Sequence, residues 1–215
     1  MALVIYGTSR SRTMRTLWIA AELGLRYEHR PFAWDDPFLK SADFRRINPA
    51  GSIPAIVDDG FALAESMAIS IYLARKYGSA GPCPLYPPSL DGEMQVLKWS
   101  FWAQAHLEPW VQRDVRLTSI LDVVRTACEP LVHRALQTLD QVLTDRPWLV
   151  AGHFTVADLN VAGVLSPSRS THLDLRPHRS LRDWLDRCYQ RPAALAARAR
   201  FAEPPSAVAP EGSDR

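Results

Sequence analysis

Two rhythms of apolar residues divide the chain. Up to residue 77, short apolar runs of strand type are interleaved with segments spaced by three and four residues. Beyond residue 90 only the helical spacing remains. Residues 2–6 read as a buried strand, followed by a polar loop over 7–12. A helix is predicted over about 13–23, because Met14, Leu17, Trp18 and Ala21 share one face and Gly24 then stops it. Residues 27–32 read as a second strand. Residues 53–57 and 61–64 pair as a hairpin around Asp58-Asp59-Gly60, a strong turn signal. A further helix spans 66–77, with Ile69, Tyr72 and Leu73 facing inward. The order is β-α-β, an irregular stretch with room for a short helix, then β-β-α.

Residues 78–90 are rich in Gly, Pro and Ser and read as a linker. Helices are predicted at about 91–117, 124–144, 155–166 and 180–190, with a short one near 193–201. The pattern therefore predicts an α/β domain over 1–79, a linker over 80–90 and an all-α domain over 91–202. Residues 203–215 have the composition of a disordered tail. Within the helical part, Thr155 reads as an N-cap and Asp158 reaches back to its N–H, while Phe154 staples the helix from outside. Asp158 is thus structural. His172, Arg176, His178 and Arg179 read as a basic surface loop.

Composition removes several function classes. The chain has 215 residues, 47% of them hydrophobic, enough for one large or two small cores. A net charge of +2 is too balanced for nucleic acid as the main partner. No run of about 20 apolar residues is present, so no membrane span is expected. The opening MALVIYG lacks the basic region of a signal peptide. The three cysteines are far apart and predict a reducing, cytoplasmic setting without a disulfide framework. No zinc-type spacing occurs among the histidines and cysteines, so no metal site is expected.

The most informative segment is Asn48-Pro49-Ala50-Gly51-Ser52-Ile53-Pro54-Ala55-Ile56, followed by Glu65-Ser66. Pro54 lacks an N–H and holds Ile53 extended, so the strand cannot continue normally past it. A cis bond at such a proline leaves the backbone of the preceding residue free to pair with an extended peptide. Ser66 presents a hydroxyl and backbone donors at a helix start, where a carboxylate is favoured. Together these features read as a socket for a peptide with a free carboxylate and a free amine. The bland alternatives are an edge-strand proline and a simple N-cap. Ser11 and Thr13 divide evenly between capping a helix and activating a thiol, and Tyr6 reads as core. Arg10, Arg12 and Arg15 read as a solvated basic face, or, beside this site, as a source of positive potential that draws an anionic tripeptide. Trp99, Trp102, His106, Trp110 and Arg113 form a stripe at helical spacing, for which core packing is the default reading.

In this order and at these distances, the NPAGSIPAI turn, Glu65-Ser66 and the FTVAD helix start resemble the cytosolic glutathione transferases nearly end to end. The stretch SRSRTMRTLWIAAELGL is similar to the first loop and helix of bacterial serine-type members. The resemblance implies a thioredoxin-like N-terminal domain with a mixed four-stranded sheet, followed by a helical bundle. It also implies glutathione as co-substrate, no covalently bound cofactor, a homodimer, and conjugation or reduction of small hydrophobic electrophiles. Residue by residue, it places the cysteinyl backbone of glutathione on Ile53 beside Pro54, by strand addition. The γ-glutamyl carboxylate falls on Ser66 and its ammonium on Glu65. Ser11 takes the thiol-activating position, with Ser9, Thr13 or a backbone N–H as alternatives. A hydroxyl donor and a helix N-terminus both lower a thiol pKa from its ordinary value of about 8.5. Ser52 stands where many members have Lys or Arg, which turns the glycyl carboxylate towards another cation such as Lys40. Trp102, His106, Trp110 and Arg113 fall where members line the electrophile pocket. No Cys occupies the first loop, which argues against chemistry through a protein thiol. Two alternatives stay open: a glutathione-dependent enzyme of other chemistry, such as a dehalogenase, isomerase or peroxidase, and, in a different class, a non-catalytic interaction protein of the same fold.

Overall fold

The computed structural model describes residues 3–111, 118–166 and 173–200, with the backbone alone over 118–128. Leu3–Tyr6 forms β1, Thr13–Glu22 α1 and Glu28–Arg30 β2. A 3-10 helix over Pro37–Lys40 and α2 over Ala42–Ile47 fill the irregular stretch. Ala55–Asp58 (β3), Phe61–Ala64 (β4) and Ser66–Tyr77 (α3) complete the pattern read from the sequence. The sheet runs β2-β1-β3-β4, with β2 parallel to β1 and the remaining pairs antiparallel. Two compact units divide within α3. One comprises residues up to Ser70 together with the last helix from Ala193, and the other Ile71–Pro192.

The first unit is thioredoxin-like. Asp59 and Gly60 both have positive φ, the conformation a two-residue hairpin needs, so Asp58 pairs with Phe61 across the turn. Gly24 ends α1 as expected, with its N–H and that of Leu25 returning to the carbonyls of Ala21 and Ala20. β2 is shorter than the predicted 27–32. Pro31 has no N–H to give a ladder, and Phe32 N–H bonds back to Arg30 O at 2.9 Å. Tyr6 packs among Phe32, Phe44, Leu39 and Ala55, the core role read for it.

The second unit is helical. Leu90–Trp102 (α4) runs into a π-helical turn, Ala103–Leu107, and then Glu108–Val111 (α5). The single helix predicted over 91–117 is therefore interrupted after Trp102, and its last residues lie outside those described. Thr118–Thr144 (α6), Val156–Val164 (α7), Arg179–Tyr189 (α8) and Pro192–Ala199 (α9) follow. Every residue of α7 is buried, with α4 and α8 packed against it. The predicted basic loop is not wholly at the surface: His178 is buried ahead of α8, and Arg176 pairs with Asp174. His172 lies outside the described residues, as does the predicted tail. No helix among the described residues is long and apolar enough to cross a membrane.

The capping box at Thr155 is present, and its acid is used more fully than a cap requires. Asp158 Oδ1 accepts from Leu149 N–H and Trp184 Nε1–H, each at 2.9 Å. Its Oδ2 accepts from Thr155 N–H at 2.9 Å and Thr155 Oγ1–H at 3.1 Å. One buried carboxylate thus joins the segment before α7, the helix start and α8. Burial pushes its pKa above the ordinary carboxylate value, against the pull of these donors. A group raised on folding adds stability below its unfolded pKa and loses that contribution as pH climbs through the folded value. Asp158→Ala leaves four buried donors unsatisfied and should cost roughly 3–5 kcal/mol in denaturant unfolding. The wild-type advantage should shrink as pH rises from about 4.

Candidate functional site

β1 leads the chain into the loop before α1, and that loop is tied to the end of β2. Gly7 N–H donates to Arg30 O and Thr8 N–H to Phe32 O, each at 2.8 Å. Gly7 has φ of +121°, and a Cβ there would fall 2.3 Å from Thr13 Oγ1 and 2.8 Å from Ile53 Cβ. The start of α1 and the turn before β3 therefore converge on a residue without a side chain.

The three hydroxyls proposed for thiol activation have different surroundings. Ser11 is half-buried, and its Oγ–H donates to Thr8 O at 2.8 Å. The same oxygen accepts from Thr13 N–H at 3.1 Å and lies 2.8 Å from Thr13 Oγ1. With its one proton on Thr8 O, Ser11 accepts that last bond, and Thr13 donates it. Thr13 itself is fully buried. Ser9 is also buried and donates to Arg200 O at 2.8 Å. Ser11 is the most accessible of the three.

The Ile53–Pro54 peptide bond is cis. β3 begins only at Ala55, and no hydrogen bond among the described residues occupies the N–H or carbonyl of Ile53. The approach to this point is held by buried Asn48, whose Nδ2 donates to Ser52 O at 2.7 Å and to Ser52 Oγ at 3.2 Å. Asn48 Oδ1 accepts from Ala50 N–H at 3.1 Å. Gly51, at φ +61°, passes so close to the 3-10 helix that a Cβ would meet Leu39 O at 2.8 Å. Lys40, exposed, follows directly. The Nε of exposed Arg45 lies 3.9 Å from that same Cβ position, a second cation that reads in the sequence only as a charge ending a short helix.

Glu65 and Ser66 follow β4. Glu65 is exposed and holds a left-handed backbone, φ +70°, which costs a residue with a side chain about 1–2 kcal/mol. Its carbonyl accepts the Ile69 N–H, so Ser66 is the first residue of α3, and its own N–H has no partner within the helix. Ser66 Oγ accepts from Arg15 Nη1–H at 3.0 Å, and Ser66 O accepts from Ser70 Oγ–H at 2.9 Å. Arg15 is 1% exposed, which removes it from the solvated basic face read for Arg10, Arg12 and Arg15; the other two are exposed.

Residues 11–76 match the glutathione S-transferase N-terminal domain family, and 114–192 the C-terminal domain family. The hematopoietic prostaglandin D synthase of Gallus gallus is 30% identical over 71% of this chain and 72% of its own length. The chain belongs to the glutathione S-transferase family. A solved glutathione S-transferase of Xanthobacter autotrophicus Py2 shares 28% identity and a TM-score of 0.75, over 89% of this chain and 94% of its own. Ure2p, solved in complex with glutathione, shares the fold at a TM-score of 0.81 with 18% identity, over 91% of this chain and 92% of its own.

In this chain the aromatic stripe divides. Trp99 is buried core, in edge contact with Trp102 at 5.4 Å between ring centroids. Trp102 and Trp110 are half-buried and His106 is exposed, its ring 6.2 Å from that of Trp102. His106 belongs to the π-helical turn that follows Trp102. Arg113 lies outside the described residues. Gly7→Ala forces a side chain into a space already filled by Thr13 and Ile53. It should lower stability by more than about 2 kcal/mol and weaken ligand binding at this site, as read by thermal unfolding and titration.

Proposed function

We propose that the protein binds glutathione, stabilises its thiolate and adds it to, or uses it to reduce, small hydrophobic electrophiles. The observation that carries this reading is the open backbone of Ile53 beside the hydroxyls around Gly7. Glutathione's cysteinyl N–H and carbonyl pair with the Ile53 carbonyl and N–H as an added strand. The γ-glutamyl carboxylate sits on the N–H and hydroxyl of Ser66, where the helix dipole favours negative charge. Its ammonium meets the Glu65 carboxylate, and the glycyl carboxylate takes Lys40 or Arg45. The strand direction turns the thiol towards the loop before α1.

Ser11 is assigned as the activating hydroxyl. Its proton is on Thr8 O in the free protein, so activation consists of turning that O–H onto the sulfur. Thr13 Oγ1–H then goes on donating to Ser11 Oγ, which makes Ser11 a better donor. Ser11 and Thr13 thus act in series, with Ser9 held apart by Arg200. The thiol proton leaves to solvent, and the thiolate bonds to the electrophile's carbon as its leaving group departs, or adds without one. We assign Trp102, His106 and Trp110 to the electrophile, since planar aromatic faces suit apolar acceptors. By family resemblance we take it for a homodimer of bacterial serine type, and from its sparse cysteines for a cytoplasmic protein. One observation favours a second reading, binding without turnover: both Ser9 and Ser11 spend their protons on backbone carbonyls.

Ser66→Ala should weaken glutathione binding by about 1–3 kcal/mol in calorimetry, and an unchanged affinity would remove its role. Ser11→Ala should leave affinity largely intact while raising the apparent pKa in the rate–pH profile of conjugation. An unaltered profile would move the role to Thr13 or a backbone N–H, and absence of turnover in the wild type would favour the second reading.

A further inference from the structure

The Arg15 guanidinium is buried in the first turn of α1 and bonded to the hydroxyl of Ser66. We propose that Arg15 is a positioning residue that turns the Ser66 hydroxyl into a dedicated donor for a ligand carboxylate; this rests on the glutathione-binding reading above. A guanidinium has donors and no acceptor. Ser66 Oγ therefore accepts from Arg15, and its own proton is left to give. The carbonyl of Ser66 already accepts from Ser70, and Ser66 is 4% exposed, so the hydroxyl has few directions in which to point. A hydroxyl polarised by a cation from behind is a stronger donor, and an anion in front of it completes the chain guanidinium, hydroxyl, carboxylate. Burial keeps water from screening that charge.

The arrangement also joins the two ends of the socket. Arg15 stands two residues after Thr13, which bonds to Ser11. One short helix thus carries the thiol loop at its start and the support for the carboxylate seat within its first turn. A carboxylate on Ser66 is held through α1 in register with the loop that meets the sulfur. Specificity for the γ-glutamyl carboxylate, rather than for any extended peptide, follows.

The test compares glutathione with γ-aminobutyryl-cysteinyl-glycine, which lacks only that carboxylate, by calorimetric titration into wild type, Arg15→Met and Arg15→Lys. Circular dichroism and thermal unfolding establish that each variant is folded. Glutathione affinity should fall about tenfold in Arg15→Met and less in Arg15→Lys, with the analogue changing less than about twofold in either. In a Ser66→Ala background the Arg15→Lys effect should vanish, because the atom through which it acts is gone. If Arg15→Met does not fold, Arg15→Lys with and without Ser66→Ala decides the matter. Equal losses for both ligands, or no loss, would overturn the proposal and leave Arg15 a purely structural cation. Wild type that binds no glutathione would overturn the functional reading and this one with it.

Discussion

The absence of a side chain at Gly7 is the constraint on which the candidate site depends. Thr13 Oγ1 and the Ile53 side chain occupy the volume that any Cβ would need, at distances no carbon tolerates. The loop carrying Ser9 and Ser11 can lie against the turn at Pro54 only because of that gap. Bonds from Gly7 and Thr8 to the end of β2, and from Asn48 to Ser52, fix the two sides of the junction. The result is a backbone edge at Ile53 that the sheet does not use, close to the start of α1.

Two buried polar joints carry the rest, one in each unit. In the helical unit Asp158 collects four donors and binds α7 to its flanking segment and to α8. In the thioredoxin-like unit Arg15 joins the first turn of α1 to the first residue of α3. The two differ in what they leave over. The acceptors of Asp158 are all filled by its own chain, which is the mark of a structural group. The Arg15–Ser66 joint leaves a hydroxyl proton at a helix start, where an anion is at home.

Much of this was legible in the sequence, because the signals were local. Short apolar runs and three-to-four-residue spacing marked the strands and helices, Asp59-Gly60 the hairpin, and Thr155 with Asp158 the cap; β3 begins only at Ala55, two residues past the start read at 53, since Pro54 has no N–H to give the ladder. The domain families and solved relatives agree with that fold. What escaped was set by residues far apart in the chain. Arg15 sits in a basic run that looks solvated, yet nearly the whole of α1 is buried, so its spacing carried no hint of a guanidinium aimed at Ser66. Ser9 finds its acceptor at Arg200, near the opposite end of the chain. The π-helical turn after Trp102 has no local signature, and Arg45 comes near Gly51 only through the fold of the 3-10 and α2 segment.

The central claim is that one edge of the sheet and two helix starts bind glutathione and ionise its thiol. The most direct measurement is the ultraviolet absorbance of the thiolate in the wild-type complex, followed across pH 5–9. A midpoint at least one unit below the ordinary thiol value of about 8.5 is the predicted result. A midpoint at the ordinary value, or no complex at millimolar glutathione, would contradict the account.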